Sequence, residues 1–409
     1  MKILHTSDWH LGSSLYGQKR YDEFETFLKW LVTLMQTEHI EVCLVAGDLF
    51  DTGTPSNRAL GLYYQFLNLV NVVSGLQIVI IAGNHDSPSL INAPQQLLKQ
   101  LQIHVFGSIP DNPENEILVI NDHLDQPSLI VCAVPYLRDR DIRLSEPGES
   151  IEDKTRKLEI GVQEHYRQVI SIAKARQKKL GGRIPIVAMG HLFVSGGKTV
   201  DGDGVREHYA GNLAQIRAEN LCDGIDYLAL GHLHVPQIIS GTDTMRYCGS
   251  PIALGFGDAG QQKQVVIVDF ETGAPVVRSV QVPKFWDIRT LKGDISTVEI
   301  EIEALIKLDH PVWIEVIFSG TLSAPAVQTH LRELTYGTDV IIIRTRSMET
   351  EKYGFNSEDE GESLEDLSEM DVFQRILDAR NIPTGERPEL IDVFSEIIHE
   401  MNEEDSLAD

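Results

Sequence analysis

Four cysteines in 409 residues is few, and Cys43, Cys132, Cys222 and Cys248 stand far apart with no C-x-x-C. That excludes a disulfide-stapled scaffold and offers no thiolate zinc site. Cys43 and Cys132 lie inside apolar runs, where a thiol is commonly buried. No apolar run approaches the roughly 18 residues of a membrane span, and MKILHTSDWH reaches His5 and Asp8 before a signal-peptide core could form. The expectation is a cytoplasmic protein with no membrane contact. Positive charge is also scarce: 35 Lys and Arg stand against 61 Asp and Glu, a formal net charge of −26. The composition therefore lacks the basic surface that ordinarily neutralises nucleic-acid phosphates. Roughly −15 of that charge falls in residues 351–409, so the body of the chain is only mildly acidic.

What is present is an ordinary globular composition, 42% hydrophobic and 23% charged, long enough for two or three domains. The first two-thirds alternates short β-rich apolar runs with helical patterns, as layered α/β proteins do. Five runs matter most: 2–5, 41–46, 77–82, 184–189 and 226–230. Between the first two, Phe24, Phe27, Leu28, Leu31 and Met35 recur at helical spacing. A second helix is expected after Pro55 and Ser56, a third over about 152–179, and the strands VVIVDF and PVVRSVQV near 265–280 close the domain. Residues 285–346 then read strand, helix, strand, helix, strand, a small α/β domain. From Glu349 to Asp366 the chain is polar and acidic, the composition of a linker, and two short amphipathic helices follow it. There is no internal repeat. The expected division is 1–282, 283–347, an acidic linker over 348–366 and a helical region over 367–409.

Each of the five runs ends in potential metal ligands: Asp8-Trp9-His10, Gly47-Asp48-Leu49-Phe50-Asp51, Gly83-Asn84-His85-Asp86, Gly190-His191 and Gly231-His232-Leu233-His234. One histidine after a strand is usually a loop residue. Five such motifs at the carboxyl ends of strands would converge on one rim of a sheet, where α/β proteins build their sites. A glycine before Asp48, Asn84, His191 and His232 would let the backbone turn sharply there. Alternate residues of an extended chain point the same way, so Asp8 with His10, and His232 with His234, can share a face. Other signals fail on inspection. Gly197-Lys198-Thr199 ends like a phosphate loop but has Leu192 where glycine is required, and Asp201 and Asp203 begin a calcium-loop pattern that Val205 breaks. The remaining histidines have no comparable context.

In this order the five motifs resemble the calcineurin-like metallophosphoesterase superfamily, with its D-x-H, G-D-x-x-D, G-N-H-[DE], G-H and G-H-x-H elements. The resemblance implies an α/β fold, a layered β-sandwich flanked by helices, with a small α/β capping domain and C-terminal helices here. It also implies a two-metal centre in which Asp48 bridges, Asp8, His10 and His234 complete one site, and Asn84, His191 and His232 complete the other. Two divalent ions about 3.5–4 Å apart can clamp a phosphate and activate water for in-line attack. Oxygen and imidazole donors without thiolate suit manganese, with magnesium as the alternative. By the same resemblance His85 protonates or stabilises the leaving oxygen and the Asp51 carboxylate orients His85, while Asp86 reads as a structural residue that holds the loop.

HTSDWHLG, AGDLFDTGTPS, IAGNHDS, DYLALGHLHVPQ and RYCGSPIALGF narrow the resemblance to the SbcD family, the bacterial nuclease subunit that works with the SbcC ATPase. Protein phosphatases of the superfamily carry arginine after the second aspartate of G-D-x-x-D, where Thr52 stands here. Many eukaryotic and archaeal double-strand-break nucleases carry histidine at the place of Asp51. The resemblance implies a manganese-dependent nuclease, acting 3′ to 5′ on double-stranded DNA ends and opening hairpins. Its C-terminal helices would dock an SbcC-like ATPase, in a homodimer within a heterotetramer. Two bound cations and the partner's surface would offset the acidic charge. The alternatives are a cytosolic phosphodiesterase or phosphatase of small phosphorylated substrates, which needs neither cap nor tail, and a non-catalytic scaffold, which intact ligands argue against.

Overall fold

The computed structural model describes residues 1–143, 148–199, 216–217, 221, 223–308, 310–320 and 322–348, and beyond them 377, 387, 390–391 and 393–394. Met1–Met348 form one compact unit. Two six-stranded sheets lie at its centre. From edge to edge the first runs Val276–Gln281, Gln264–Asp269, Lys2–Thr6, Val42–Ala46, Gln77–Ile81, Ile103–Phe106. The second runs Gln237–Ile239, Thr242–Tyr247, Tyr227–Gly231, Ile186–His191, Pro127–Ala133, Ile117–Asn121. In both, parallel strands fill the middle, and antiparallel pairing is confined to the flanks.

The alternation of side chains along the strands explains the layering. Ile3, Val42, Leu44 and Val79 of the first sheet meet Val131, Val187, Met189 and Ala229 of the second in a dry inter-sheet core. Leu4, Cys43, Val45 and Ile80 point the other way, under the helices Tyr21–Thr37 and Asn57–Val70. Ile130, Cys132, Ala188 and Leu228 do the same beneath helix Ile151–Lys179. The central strands therefore read as unbroken apolar runs because both faces are covered. Helix Tyr21–Thr37 buries Phe24, Phe27, Leu28, Leu31 and Met35, and each such side chain contributes about 1.5–3 kcal/mol. Ser56 caps Asn57–Val70 through the N–H of Ala59, and Ser150 caps Ile151–Lys179 through that of Asp153, so both expected helix starts are found.

Strands Asp287–Asp294, Val312–Ser319 and Val340–Ser347 make a third, parallel sheet, and the helices Ile295–Ile306 and Ala324–Leu334 cover its core. Its other face is joined to the sandwich through Ile288, Trp313 and Ile343 against Leu15 and Ala259. Cys43, Cys132 and Cys248 are buried free thiols, and burial pushes Cys43 and Cys132 up to about 12; Cys222 lies outside the described residues. So do Asp201, Asp203 and Val205, the acidic linker beyond Met348, and most of the two C-terminal helices. Of that tail Leu377 is buried and Leu390 and Val393 are exposed on helical residues. No helix among the described residues is long and apolar enough to cross a membrane.

Candidate dinuclear metal centre

All nine motif residues to which the sequence gives a metal, leaving-group or orienting role converge at the carboxyl ends of the central strands of the two sheets. Trp9 anchors the first motif. Its indole packs edge-on against Phe27 and Phe66 and donates to Thr6 Oγ1 at 2.9 Å, so Asp8 and His10 flank a plug sunk in the core. The main-chain N–H groups of Asp8 and His10 donate to the carbonyls of Gly47 and Asp48, both at 3.0 Å, which ties this loop to the next. Asp48 lies between the two groups of ligands: its Oδ2 is 3.6 Å from His10 Nε2 and 3.2 Å from His191 Nε2. His10 Nε2 and His234 Nε2 are 3.1 Å apart, and Asp8, His10 and His234 bring one donor atom each within 4.8 Å of one another. Asp48, His191 and His232 do the same on the other side, and Asn84 Oδ1 lies 2.9 Å from His191 Nε2 and 3.0 Å from His232 Nδ1. Asp8, His10, Asp48, His191, His232 and His234 are buried, whereas Asn84, His85 and Asp51 are half-buried.

Residues 1–236 match the calcineurin-like phosphoesterase family, and residues 284–381 match the family described as the type 5 capsule protein repressor C-terminal domain. The SbcD subunit of the nuclease SbcCD from Escherichia coli K12 is 34% identical over 403 residues, which is 98% of each chain. The chain belongs to the SbcD family. SbcD proteins of Bacillus subtilis and Rhodobacter capsulatus are 35% and 33% identical over 283 and 292 residues, covering 67% and 69% of this chain and 67% and 70% of theirs.

Several details of the site differ from the sequence expectation. Asp8, His10, Asp48 and His232 have φ of 52°, 47°, 49° and 102°, so they are not alternate residues of an extended strand. Left-handed backbone in the loops past the strand ends aims the side chains, a strain of about 1–3 kcal/mol per residue that the surrounding hydrogen bonds hold in place. Among the four expected hinge glycines only Gly47 has positive φ, at 89°. Gly83 serves close approach instead, since a Cβ there would collide with the Asp48 carboxylate and amide. The role given to Asp51 is also corrected. His85 Nδ1 lies 2.8 Å from the main-chain carbonyl of Asp51, while the Asp51 carboxylate sits 3.4 Å from His10 Nδ1. Asp51 thus orients His85 through its backbone, because its side chain is drawn to the other imidazole. Asp86 holds the loop as expected, accepting from the N–H groups of Leu49, Phe50 and Gly83 at 3.1, 3.0 and 2.9 Å.

The donor set fits divalent cations. His191 Nδ1 donates to the carbonyl of Ala46 at 2.9 Å, so in the neutral ring that a cation would bind the Nε2 lone pair faces Asn84 Oδ1 and Asp48 Oδ2, both acceptors. Among the described residues, buried His232 Nε2 has no hydrogen-bond partner. Acceptors converging without donors in a buried place are satisfied by a cation. Without one, charge strains the site. Burial raises Asp8 to about 6 and lowers His232 to about 3, and His191, which burial alone would lower, is lifted to about 9 by the Asp48 carboxylate. Sequence reasoning missed the supports that carry no motif: Ser7, whose hydroxyl donates to Asp8 Oδ2, and the Ala46 carbonyl that fixes the His191 tautomer. A serine beside a ligand or a main-chain oxygen leaves no pattern to find.

Proposed function

We propose that the chain is the metal-dependent nuclease subunit of an SbcCD-type complex, cleaving the phosphodiester bonds of double-stranded DNA at ends, 3′ to 5′, and at hairpins. The observation that carries this reading is the position of Asp48 between two ligand groups, with His85 tethered beside it on the half-buried side. Asp8, His10 and His234 would hold one divalent ion, Asn84, His191 and His232 the other, and Asp48 would bridge them. Bound there, two ions, manganese first and magnesium as the alternative, would supply positive charge against the phosphate and activate water. The chain's own residues do the rest. Asp51 and Ala46 hold the imidazoles of His85 and His191 through carbonyl oxygens, and Asp86 fixes the turn that presents Asn84 and His85. His85 Nδ1 is engaged by the Asp51 carbonyl, so Nε2 is the atom available to give a proton to the leaving oxygen.

In this reading residues 1–282 are the nuclease domain, 283–347 the cap, 348–366 a linker and 367–409 the segment that docks an SbcC-like ATPase. The assembly is a homodimer of this chain within a heterotetramer, working in the cytoplasm. Relatives named as subunits of SbcCD, aligned over nearly the whole chain, support the partner. Manganese with linear duplex, supercoiled duplex and a generic phosphodiester ester, with and without the ATPase and ATP, tests the reading. Degradation of linear duplex that the ATPase and ATP stimulate is expected. Hydrolysis of the small ester alone would overturn it in favour of a small-molecule phosphodiesterase.

A further inference from the structure

Against the main-chain carbonyl of His234 lies a buried ion pair that belongs to none of the five motifs. Lys263 is 6% exposed and Asp258 fully buried. An ammonium has three N–H donors. Those of Lys263 go to Asp258 Oδ2 at 2.5 Å, Ser250 Oγ at 3.0 Å and the main-chain carbonyl of His234 at 3.1 Å. The second lone pair of that carbonyl takes the N–H of Ser250 at 3.2 Å. Asp258 in turn accepts from the N–H groups of Leu254 and Gly255 at 3.1 and 2.9 Å. Every polar atom of the pair is therefore used, and both free ends finish on the loop 250–255 and on the backbone of His234.

We propose that Lys263 and Asp258 are positioning residues for His234, and so set the affinity of the metal site built from Asp8, His10 and His234. The proposal rests on the ligand assignment above. A buried ion pair is a poor source of stability, since a well-packed neutral pair is often as stable or more so. Its fixed geometry does have a use here. His234 is the last residue of its motif and follows the strand Tyr227–Gly231 by three positions, so ladder hydrogen bonds no longer hold its backbone. Lys263 immediately precedes the strand Gln264–Asp269 of the other sheet. The ammonium thus ties a ligand loop of one sheet to a rigid strand of the other, and the 3.1 Å separation of His234 from His10 is fixed across that tie. Supports of this kind are worth about 10- to 100-fold in metal affinity.

The test is manganese titration by calorimetry, with electron paramagnetic resonance reporting whether two ions sit close enough to couple. The full-length chain is used as the parent, as His234→Ala, as Lys263→Met and as Lys263→Met with Asp258→Asn. The double variant removes both charges and keeps one of the two oxygens that accept from Leu254 and Gly255, so it avoids the unpaired buried carboxylate that the single variant leaves, and its melting temperature reports whether it folds as the parent does. Expected is a parent with two sites, and in Lys263→Met or the double variant one site weakened about tenfold or more, the other kept, and the coupled signal lost. His234→Ala should lose that same site. If the double variant, folded to the parent's melting temperature, binds both ions with parent affinity while His234→Ala does not, the positioning role is overturned and the ligand assignment stands. If His234→Ala itself binds both ions normally, the ligand assignment fails and the positioning role fails with it. Equal weakening of both sites in the variants would mark a merely structural pair and would also overturn it.

Discussion

The main-chain N–H of His85 donates to Oδ1 of Asp48 at 2.9 Å, so the residue assigned to the leaving group is tied by its backbone to the residue assigned to the bridge. The tie does not involve the His85 ring, which is held separately by the Asp51 carbonyl. Bridge geometry and proton donation can therefore be separated by mutation.

His85→Ala keeps the N–H that holds Asp48 and removes only the imidazole. Both manganese ions should bind as in the parent, while turnover of duplex DNA falls about 10²- to 10⁴-fold, the usual worth of a general acid. Calorimetry beside single-turnover cleavage checks this. Loss of an ion from a folded variant would move His85 into the ligand set, which its place near His10 and Asp48 makes a real alternative.

Asp48→Asn retains an oxygen for the His85 N–H but removes the charge that both ligand groups share. Cleavage should drop by about 10²- to 10³-fold or more, the scale of losing one preorganised electrostatic element, with binding of at least one ion abolished. Two-ion binding and parent-like cutting would show that the bridge is elsewhere.

Gly83→Ala drives a methyl group into the Asp48 carboxylate and amide, whereas Gly53→Ala, with its nearest neighbour at 3.8 Å, meets only ordinary contacts. The first should lose about 1–3 kcal/mol of stability and most metal affinity, and the second should keep both. Thermal melts with and without manganese distinguish them.

His5 is a pH element outside the metal centre. Its Nε2 lies 3.2 Å from the Leu230 carbonyl and its Nδ1 3.0 Å from the Tyr227 hydroxyl, and burial lowers it to about 3 from 6.5. Between those values the unfolded chain binds a proton that the folded chain refuses, so stability falls as pH drops below about 6.5 and keeps falling toward pH 3. In His5→Gln, denaturant unfolding of the metal-free protein should show a pH slope shallower by up to about 1.4 kcal/mol per unit across that window. An unchanged slope would mean that His5 does not titrate on unfolding there.

Deleting 367–409 should leave manganese binding and basal cleavage of small substrates nearly intact while abolishing co-purification with the ATPase and ATP-stimulated cutting of blocked ends. The apolar residues Leu390 and Val393 are exposed, and short isolated helices are marginal in water without a partner. A truncated chain that still forms the complex at unchanged affinity would place the docking site elsewhere.

The sequence by itself determined the candidate ligand set and the alternation of buried strands with helices. Asp8, His10, Asp48, Asn84, His85, His191, His232 and His234 are legible because metal chemistry admits few residue types and each follows an apolar run that can only be a buried strand. Helix Asn57–Val70 was legible from Pro55 and Ser56 before it, and Tyr21–Thr37 from the helical spacing of Phe24, Phe27, Leu28, Leu31 and Met35, both local signals. Only the tertiary structure decided how the candidate ligands are aimed. Left-handed φ at Asp8, His10, Asp48 and His232 is unfavourable in isolation and persists because neighbouring loops hold it, so no local pattern predicts it. The same holds for the Asp51 carboxylate, which is turned to His10 while the Asp51 carbonyl holds His85, and for Lys263, which reaches His234 from 29 residues away. Which residues can be ligands is a matter of chemistry written along the chain, whereas which atom orients which ring depends on distances that exist only once the two sheets have packed.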